Sequence, residues 1–153
     1  PSNRRLMKII FQKNKILYKE NFEKFSKLNS HAGAVLSFIG KVRPTNCDKS
    51  VTSIDIEIYE KMATTQMEKV IIRLNTKYKI LDHLIIHRYG KIYPGENIVA
   101  IFVCSKHRKE AFRFLEETVD WLKVKITFWK KENYTDHSEW VEQKKKDKEF
   151  VSD

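Results

Sequence analysis

The chain has 153 residues, with 30 Lys and Arg against 20 Asp and Glu and a formal net charge of +10. Hydrophobic residues make up 41% and there are only four Gly and three Pro, which excludes a disordered, collagen-like or low-complexity protein. No apolar run approaches the ~20 residues needed to cross a bilayer, and the charge favours an anionic partner over a solvated Lys-rich surface only once a motif supports it.

Taken in chain order, the pattern is mixed α/β. Residues 6–11 predict a short strand. Phe22, Phe25 and Leu28 recur at helical spacing and predict a helix over 18–28. A strand over 33–39 ends at Gly40, and the polar, cationic segment 40–50 predicts an exposed loop. Ile54, Ile56 and Ile58 alternate with Asp55 and Glu57, which predicts a strand over 51–59 with one wet face. Ala63, Met67, Val70, Ile71, Leu74 and Tyr78 form the stripe of an amphipathic helix. A strand follows over 84–87. After the Tyr93–Pro94–Gly95–Glu96 turn, the apolar run 98–104 predicts a strand covered on both faces. Ala111, Leu115, Thr118 and Leu122, with Phe112 and Val119 beside them, mark another helix, and 126–130 another strand. The single domain is expected to occupy 1–140, with 141–153 a frayed helix or charged tail. The basic start has no long apolar segment behind it, so no secretory signal is expected. Cys47 and Cys104 form no CxxC and fit a cytoplasmic chain.

Four segments concentrate charge where chemistry needs it. Lys106, His107 and Arg108 precede a helix, where cations oppose the macrodipole by a few tenths to ~1 kcal/mol each. The free N–H groups of that helix start could instead receive an anion, which would turn the conflict into a binding site. Lys123 and Lys125 close a helix and suit its dipole. Lys130 shares a strand face with Ile126 and Phe128, so partial desolvation of its amine is expected, with Trp129 on the other face. Gly40–Lys41–Val42–Arg43 is a weak anion cradle, and His87–Arg88 is a fourth basic pair. The His and Cys spacings fit no metal site, and no P-loop, GxGxxG or GxSxG is present in the sequence.

The ordered set resembles the large, catalytic subunit of molybdopterin synthase. The resemblance rests on Gly33–Ala34–Val35, Phe38–Ile39–Gly40–Lys41–Val42–Arg43, Glu57–Ile58–Tyr59 with Met62–Ala63, and His87–Arg88–Tyr89–Gly90. It continues through Gly95–Glu96, His107–Arg108 with Ala111–Phe112, and Leu122–Lys123 followed by Phe128–Trp129–Lys130–Lys131–Glu132. Thr127 departs from the family, which usually has Pro there.

The resemblance implies an α/β (α+β) hammerhead-like fold with additional antiparallel strands. It implies a sulfurtransferase that forms the dithiolene of molybdopterin from cyclic pyranopterin monophosphate, a step of molybdenum cofactor biosynthesis. Sulfur would come from a small ubiquitin-like subunit ending in a Gly–Gly thiocarboxylate, within a heterotetramer built on a homodimer of large subunits. Lys123 and Lys130 take the catalytic positions, and Lys41, Val42, Arg43, His107, Arg108, Lys131 and Glu132 the substrate-binding ones. No cofactor, metal, nucleic acid or membrane is implied. The competing reading is a small basic α/β nucleic-acid-binding domain that would use Tyr59, Tyr89 and Tyr93. A phosphatase with the 40–43 loop as its cradle lacks an evident nucleophile.

Overall fold

The computed structural model describes residues 8–126 and 128–141. The first half of the chain forms β1 (Ile9–Gln12), α1 (Tyr18–Leu28), β2 (Ala34–Lys41), β3 (Thr45–Asn46), β4 (Lys49–Ile58) and α2 (Glu60–Lys77). The second half forms β5 (Asp82–Arg88), β6 (Gly90–Ile92), β7 (Asn97–Ser105), α3 (Arg108–Val124), β8 (Phe128–Tyr134) and β9 (Ser138–Trp140).

Strands β1, β5, β7 and β2 lie in that order in one sheet, in which only the β1–β5 pair is parallel. The alternation of β7 sorts its side chains between two cores. Ile101 and Val103 join Met67, Ile71 and Leu74 of α2 and Ala111, Phe114 and Leu122 of α3. Ala100, Phe102 and Cys104 face the other way, toward Phe25 of α1. Tyr18, Phe22 and Phe25 gather about the Phe102 ring at 5.8 to 6.2 Å. The expectation of a doubly covered strand at 98–104 therefore holds. Burying a side chain as large as Phe102 is worth about 1.5–3 kcal/mol.

The second sheet runs β3-β4-β8-β9, with β6 also paired to β4. Val42, Val51, Ile54, Ile56 and Ile92 form a third apolar cluster between this sheet and the end of β2. The fold is thus mixed α/β with largely antiparallel strands, as the resemblance implies.

Several details differ from the sequence reading. Leu28 sits on its expected stripe and Phe112 beside one, yet both are exposed, and Phe114 is the fully buried aromatic of α3. Helical spacing places a stripe to within one residue per turn, and the packing partner decides which edge is covered. Residues 45–50 are a β-hairpin rather than a loop, with Cys47 and Asp48 both at positive φ in its two-residue turn. Such a turn usually carries Asn-Gly, so the sequence lacked the ordinary signal. β6 and β9 are three residues each and had no periodicity to read. Thr127 and the tail from 142 onward lie outside the described residues, as does the start of the strand expected at 6–11.

Both buried histidines of β5 are neutral. Desolvation pushes His83 and His87 down to about 4. His87 stacks on Phe128 with ring centroids 4.4 Å apart, and its Nδ1–H donates to the Arg88 carbonyl at 2.8 Å. Between 6.5 and about 4 the unfolded chain binds protons that the folded chain refuses, so stability is lost as pH falls through that window. In urea unfolding across that range, wild type should lose more stability than His87→Gln. Parallel losses in the two proteins would contradict a neutral, buried His87.

Gly33 links fold and site, because a Cβ there would stand 2.0 Å from the Lys106 carbonyl oxygen. Gly33→Ala must therefore move backbone, and should cost about 1–3 kcal/mol in urea unfolding. Unchanged stability would show that the 106–108 junction gives way freely.

Candidate functional site

The register of β2 against β7 decides which charged residues meet. Ala34 pairs with Ser105 and Lys41 with Asn97, so the two ends of this strand pair are about 25 Å apart. His107 and Arg108 follow Ser105 at one end. Lys41, Val42 and Arg43 leave β2 at the other.

At the Lys41 end a small cavity of about 40 Å³ is lined by Lys41, Val42, Arg43, Asn46, Lys130 and Glu132, among others. The path of the chain explains why Lys130 arrives there. Phe128 pairs with Ile58 and stacks on His87, which pairs with Val99 near the start of β7. Beyond Phe128 the strand alternates, so Lys130 and Glu132 share one face while Trp129 and Lys131 take the other. Lys131 lies 4.0 Å from Asp55 and sits over the Trp140 ring, away from the cavity. Lys123 is exposed on the last turn of α3 and is not among the residues that line this cavity.

Val42 is buried, and its backbone is held by the Gly95–Glu96 turn. Its N–H donates to the Glu96 carbonyl at 3.0 Å and its own carbonyl accepts from Gly95 N–H at 2.9 Å. This clamp fixes the directions in which Lys41 and Arg43 leave the sheet. Both of those side chains are exposed.

Glu132 is the carboxylate at the cavity and is only 5% exposed. Its Oε2 accepts from Asn46 Nδ2 at 2.8 Å and from the Tyr134 hydroxyl at 2.5 Å. Its Oε1 lies 3.9 Å from Lys130 Nζ. The hydrogen bond to Glu132 holds the Tyr134 phenol above its usual value. The Lys130 side chain is 39% exposed, and the Glu132 carboxylate lies beside its ammonium. Asn46 and Tyr134 were not singled out in the sequence. Tyr134 continues the alternation of Lys130 and Glu132, and a strand drawn through to 134 would have found it.

The distant pair has its own setting. His107 occupies the N-cap position of α3 with no side-chain cap hydrogen bond, and His107 and Arg108 are both exposed. The leading amides of α3 thus lack a side-chain cap, and an anion there would meet both the amides and the cationic Arg108. Among the described residues no group of three His, Cys, Asp or Glu is placed to hold a metal. Cys104 is buried, and desolvation pushes its thiol up to about 11, so it is no nucleophile. Tyr59 and Tyr93 are exposed on separate segments while Tyr89 packs into the core, so the three share no stacking face for a nucleic acid.

Arg88 belongs to the fold. Its Nε and Nη2 both donate to the Lys13 carbonyl, at 3.1 and 2.9 Å, and its Nη1 lies 3.4 Å from Glu96 Oε1. Glu96 in turn accepts from Tyr93 N–H, the hydrogen bond that does most to hold its carboxyl below the ordinary range. Lys has no planar fork to reproduce this. Arg88→Lys should cost about 1–3 kcal/mol of stability in urea unfolding. A neutral substitution would show that the Glu96 turn needs no anchor.

The fold and the cavity define a basic α/β protein that presents cations around one buried carboxylate and sets a second cationic pair at a helix start. Residues 11–125 match the MoaE protein family. The chain is 38% identical over 110 residues to a molybdopterin synthase catalytic subunit of Ralstonia nicotianae, which covers 72% of this chain and 62% of that relative's length. A molybdopterin synthase structure from Staphylococcus aureus superposes with a TM-score of 0.78 at 29% identity, covering 89% of this chain and 96% of the other. A Helicobacter pylori complex of subunits 1 and 2 of molybdopterin-converting factor has the same fold, with a TM-score of 0.75 at 18% identity and coverage of 88% and 90%. This chain belongs to the MoaE family.

Proposed function

We propose that this chain is the large, catalytic subunit of a molybdopterin synthase and works in the cytoplasm. It transfers sulfur from the Gly–Gly thiocarboxylate of a small ubiquitin-like subunit to cyclic pyranopterin monophosphate, forming the dithiolene of molybdopterin. The observation that carries this reading is the cavity of Lys41, Arg43, Lys130 and Glu132 in a chain of this family.

The residue types suit the chemistry. The substrate phosphate is an anion, and Arg43 and Arg108 offer bidentate contacts to it. Attack by the thiocarboxylate sulfur makes an acyl link between substrate and partner, and water then cleaves that link. An oxygen group leaves the pterin at each sulfur installed. Lys130 and Lys123 donate and accept the protons of these steps and stabilise the oxyanions that form. Lys41 and Val42 set the approach to the cavity, whereas Lys131, also expected to bind substrate, points to Asp55 on the opposite strand face.

Two facts support a site shared between two copies. The cavity of about 40 Å³ is far smaller than the 300–1,000 Å³ of ordinary small-molecule sites. The His107–Arg108 pair stands a full strand length from Lys130 within one chain. A homodimer of large subunits can bring the His107 end of one copy to the Lys130 end of the other, enlarging the pocket and completing its charge. The small subunit then docks each tail into one such pocket, which gives the heterotetramer.

Lys130→Ala and His107→Ala should each abolish most sulfur transfer when reconstituted with thiocarboxylated partner and pterin precursor. A heterodimer with one copy of each variant, isolated through two different tags, should recover about half of the wild-type rate, because one of its two pockets is intact. An inactive heterodimer would place both residues in the same chain's pocket, and a wild-type protein that forms no molybdopterin would overturn the function itself.

A further inference from the structure

We propose that Tyr134 and Asn46 are positioning residues for Lys130, acting through the Glu132 carboxylate. The inference rests on the sulfur-transfer reading and concerns residues that the reading does not use.

The geometry is a relay of three contacts. A carboxylate on a flexible side chain turns freely about its last bond unless one oxygen is held. In Glu132 that oxygen is Oε2, which receives two donors from two different elements: the Asn46 amide from β3 and the Tyr134 hydroxyl from β8. With Oε2 held, Oε1 has one direction left, and in that direction lies Lys130 Nζ at 3.9 Å. Lys130 itself sits on a four-carbon stem with over a third of its side chain in solvent. Such a stem spreads its ammonium over many rotamers unless a fixed anion selects among them. A catalytic group must be held within about 0.5 Å of its working place, which the stem alone does not achieve.

The Tyr134 ring is itself braced. His137 stacks on one side of it with centroids 4.9 Å apart, and Lys49 Nζ lies 5.7 Å from its centroid. Asp136 and Glu139 hold His137 at 2.6 and 2.9 Å and favour its charged form. Lys49 pairs with the same Glu139 at 3.6 Å. The phenol therefore has little freedom to swing away from Glu132, and the Asn46 amide also lies 3.5 Å from its oxygen. A tyrosine that served only to satisfy a buried carboxylate would matter for stability and not for the rate of the chemical step.

The test uses the full chain with thiocarboxylated partner and pterin precursor. Tyr134→Phe should lower kcat about tenfold, with KM changed less than about twofold and melting little affected. In a Glu132→Gln background, where no carboxylate remains to be aimed, the same substitution should cause no further loss. Asn46→Ala should behave as Tyr134→Phe does in both backgrounds. An independent reading comes from the ultraviolet titration of the Tyr134 phenol, taken as the difference from Tyr134→Phe. Its midpoint should fall toward the ordinary tyrosine value of about 10 in Glu132→Gln. Equal losses in both backgrounds, a kcat unchanged by Tyr134→Phe, or a phenol midpoint indifferent to Glu132 would each overturn the proposal. A wild-type chain without turnover would overturn the sulfur-transfer reading as well, whereas an active wild type with an unaltered Tyr134→Phe overturns the relay alone.

Discussion

The strand β7 governs the rest of the structure. Its residues from Ala100 to Ser105 are all buried, and its alternation divides them between the α2/α3 core and the α1 core. A strand covered on both faces cannot shift by one residue without turning Phe102 and Cys104 into the wrong core, so its register against β2 and β5 is strongly specified. That register fixes Asn97 beside Lys41 and Ser105 beside Ala34. Lys41, Arg43, His107 and Arg108 inherit their places from those two ends, whereas Lys130 and Glu132 arrive on β8.

Separating the cations is itself favourable. Gathering Arg43, Lys41, Lys130, Lys123, His107 and Arg108 in one chain's cavity would set like charges against each other with one carboxylate, Glu132, among them. The fold keeps the two groups a strand length apart, where solvent ions screen them over about 8 Å. In the proposed dimer, association with a second copy would bring them together and raise the local positive field where an anion can sit. A net charge of +10 is thus compatible with a stable protomer and with a strongly attractive pocket.

What could be read from the sequence follows the length of each signal. The α1 boundaries, the α2 stripe and the two-faced burial of β7 rest on repeated apolar positions, and packing respected them. Candidate site residues could be proposed because Lys, Arg and His cluster at element ends, and because the ordered set resembles one family. Their mutual arrangement could not be named, since it depends on the β2–β7 register and on the crossing from α3 to β8. Lys131 shows the same limit at the scale of one residue. It adjoins Lys130 in sequence, and strand alternation sends it to Asp55 on the opposite face. Phe112 and Phe114 differ by two positions on a helix, and only the neighbouring sheet distinguishes the exposed ring from the buried one.

The hairpin from Thr45 to Ser50 shows what the site demands of the backbone. Two consecutive non-glycine residues at positive φ, Cys47 at 51° and Asp48 at 64°, cost on the order of 1 kcal/mol each or more. A Gly at either position would relieve the strain and loosen the turn, since glycine adds freedom to the unfolded chain and to the hairpin alike. The strain is offset where the hairpin meets the rest of the molecule: Val51 N–H donates to the Pro44 carbonyl at 2.8 Å, and Asn46 reaches Glu132 at 2.8 Å. The second of these contacts joins residues 86 positions apart and is the hairpin's link to the carboxylate beside Lys130. A stiff turn therefore serves the cavity better than a relaxed one, because it delivers the Asn46 amide to one place, and the order of the Lys130 ammonium depends on that place being kept.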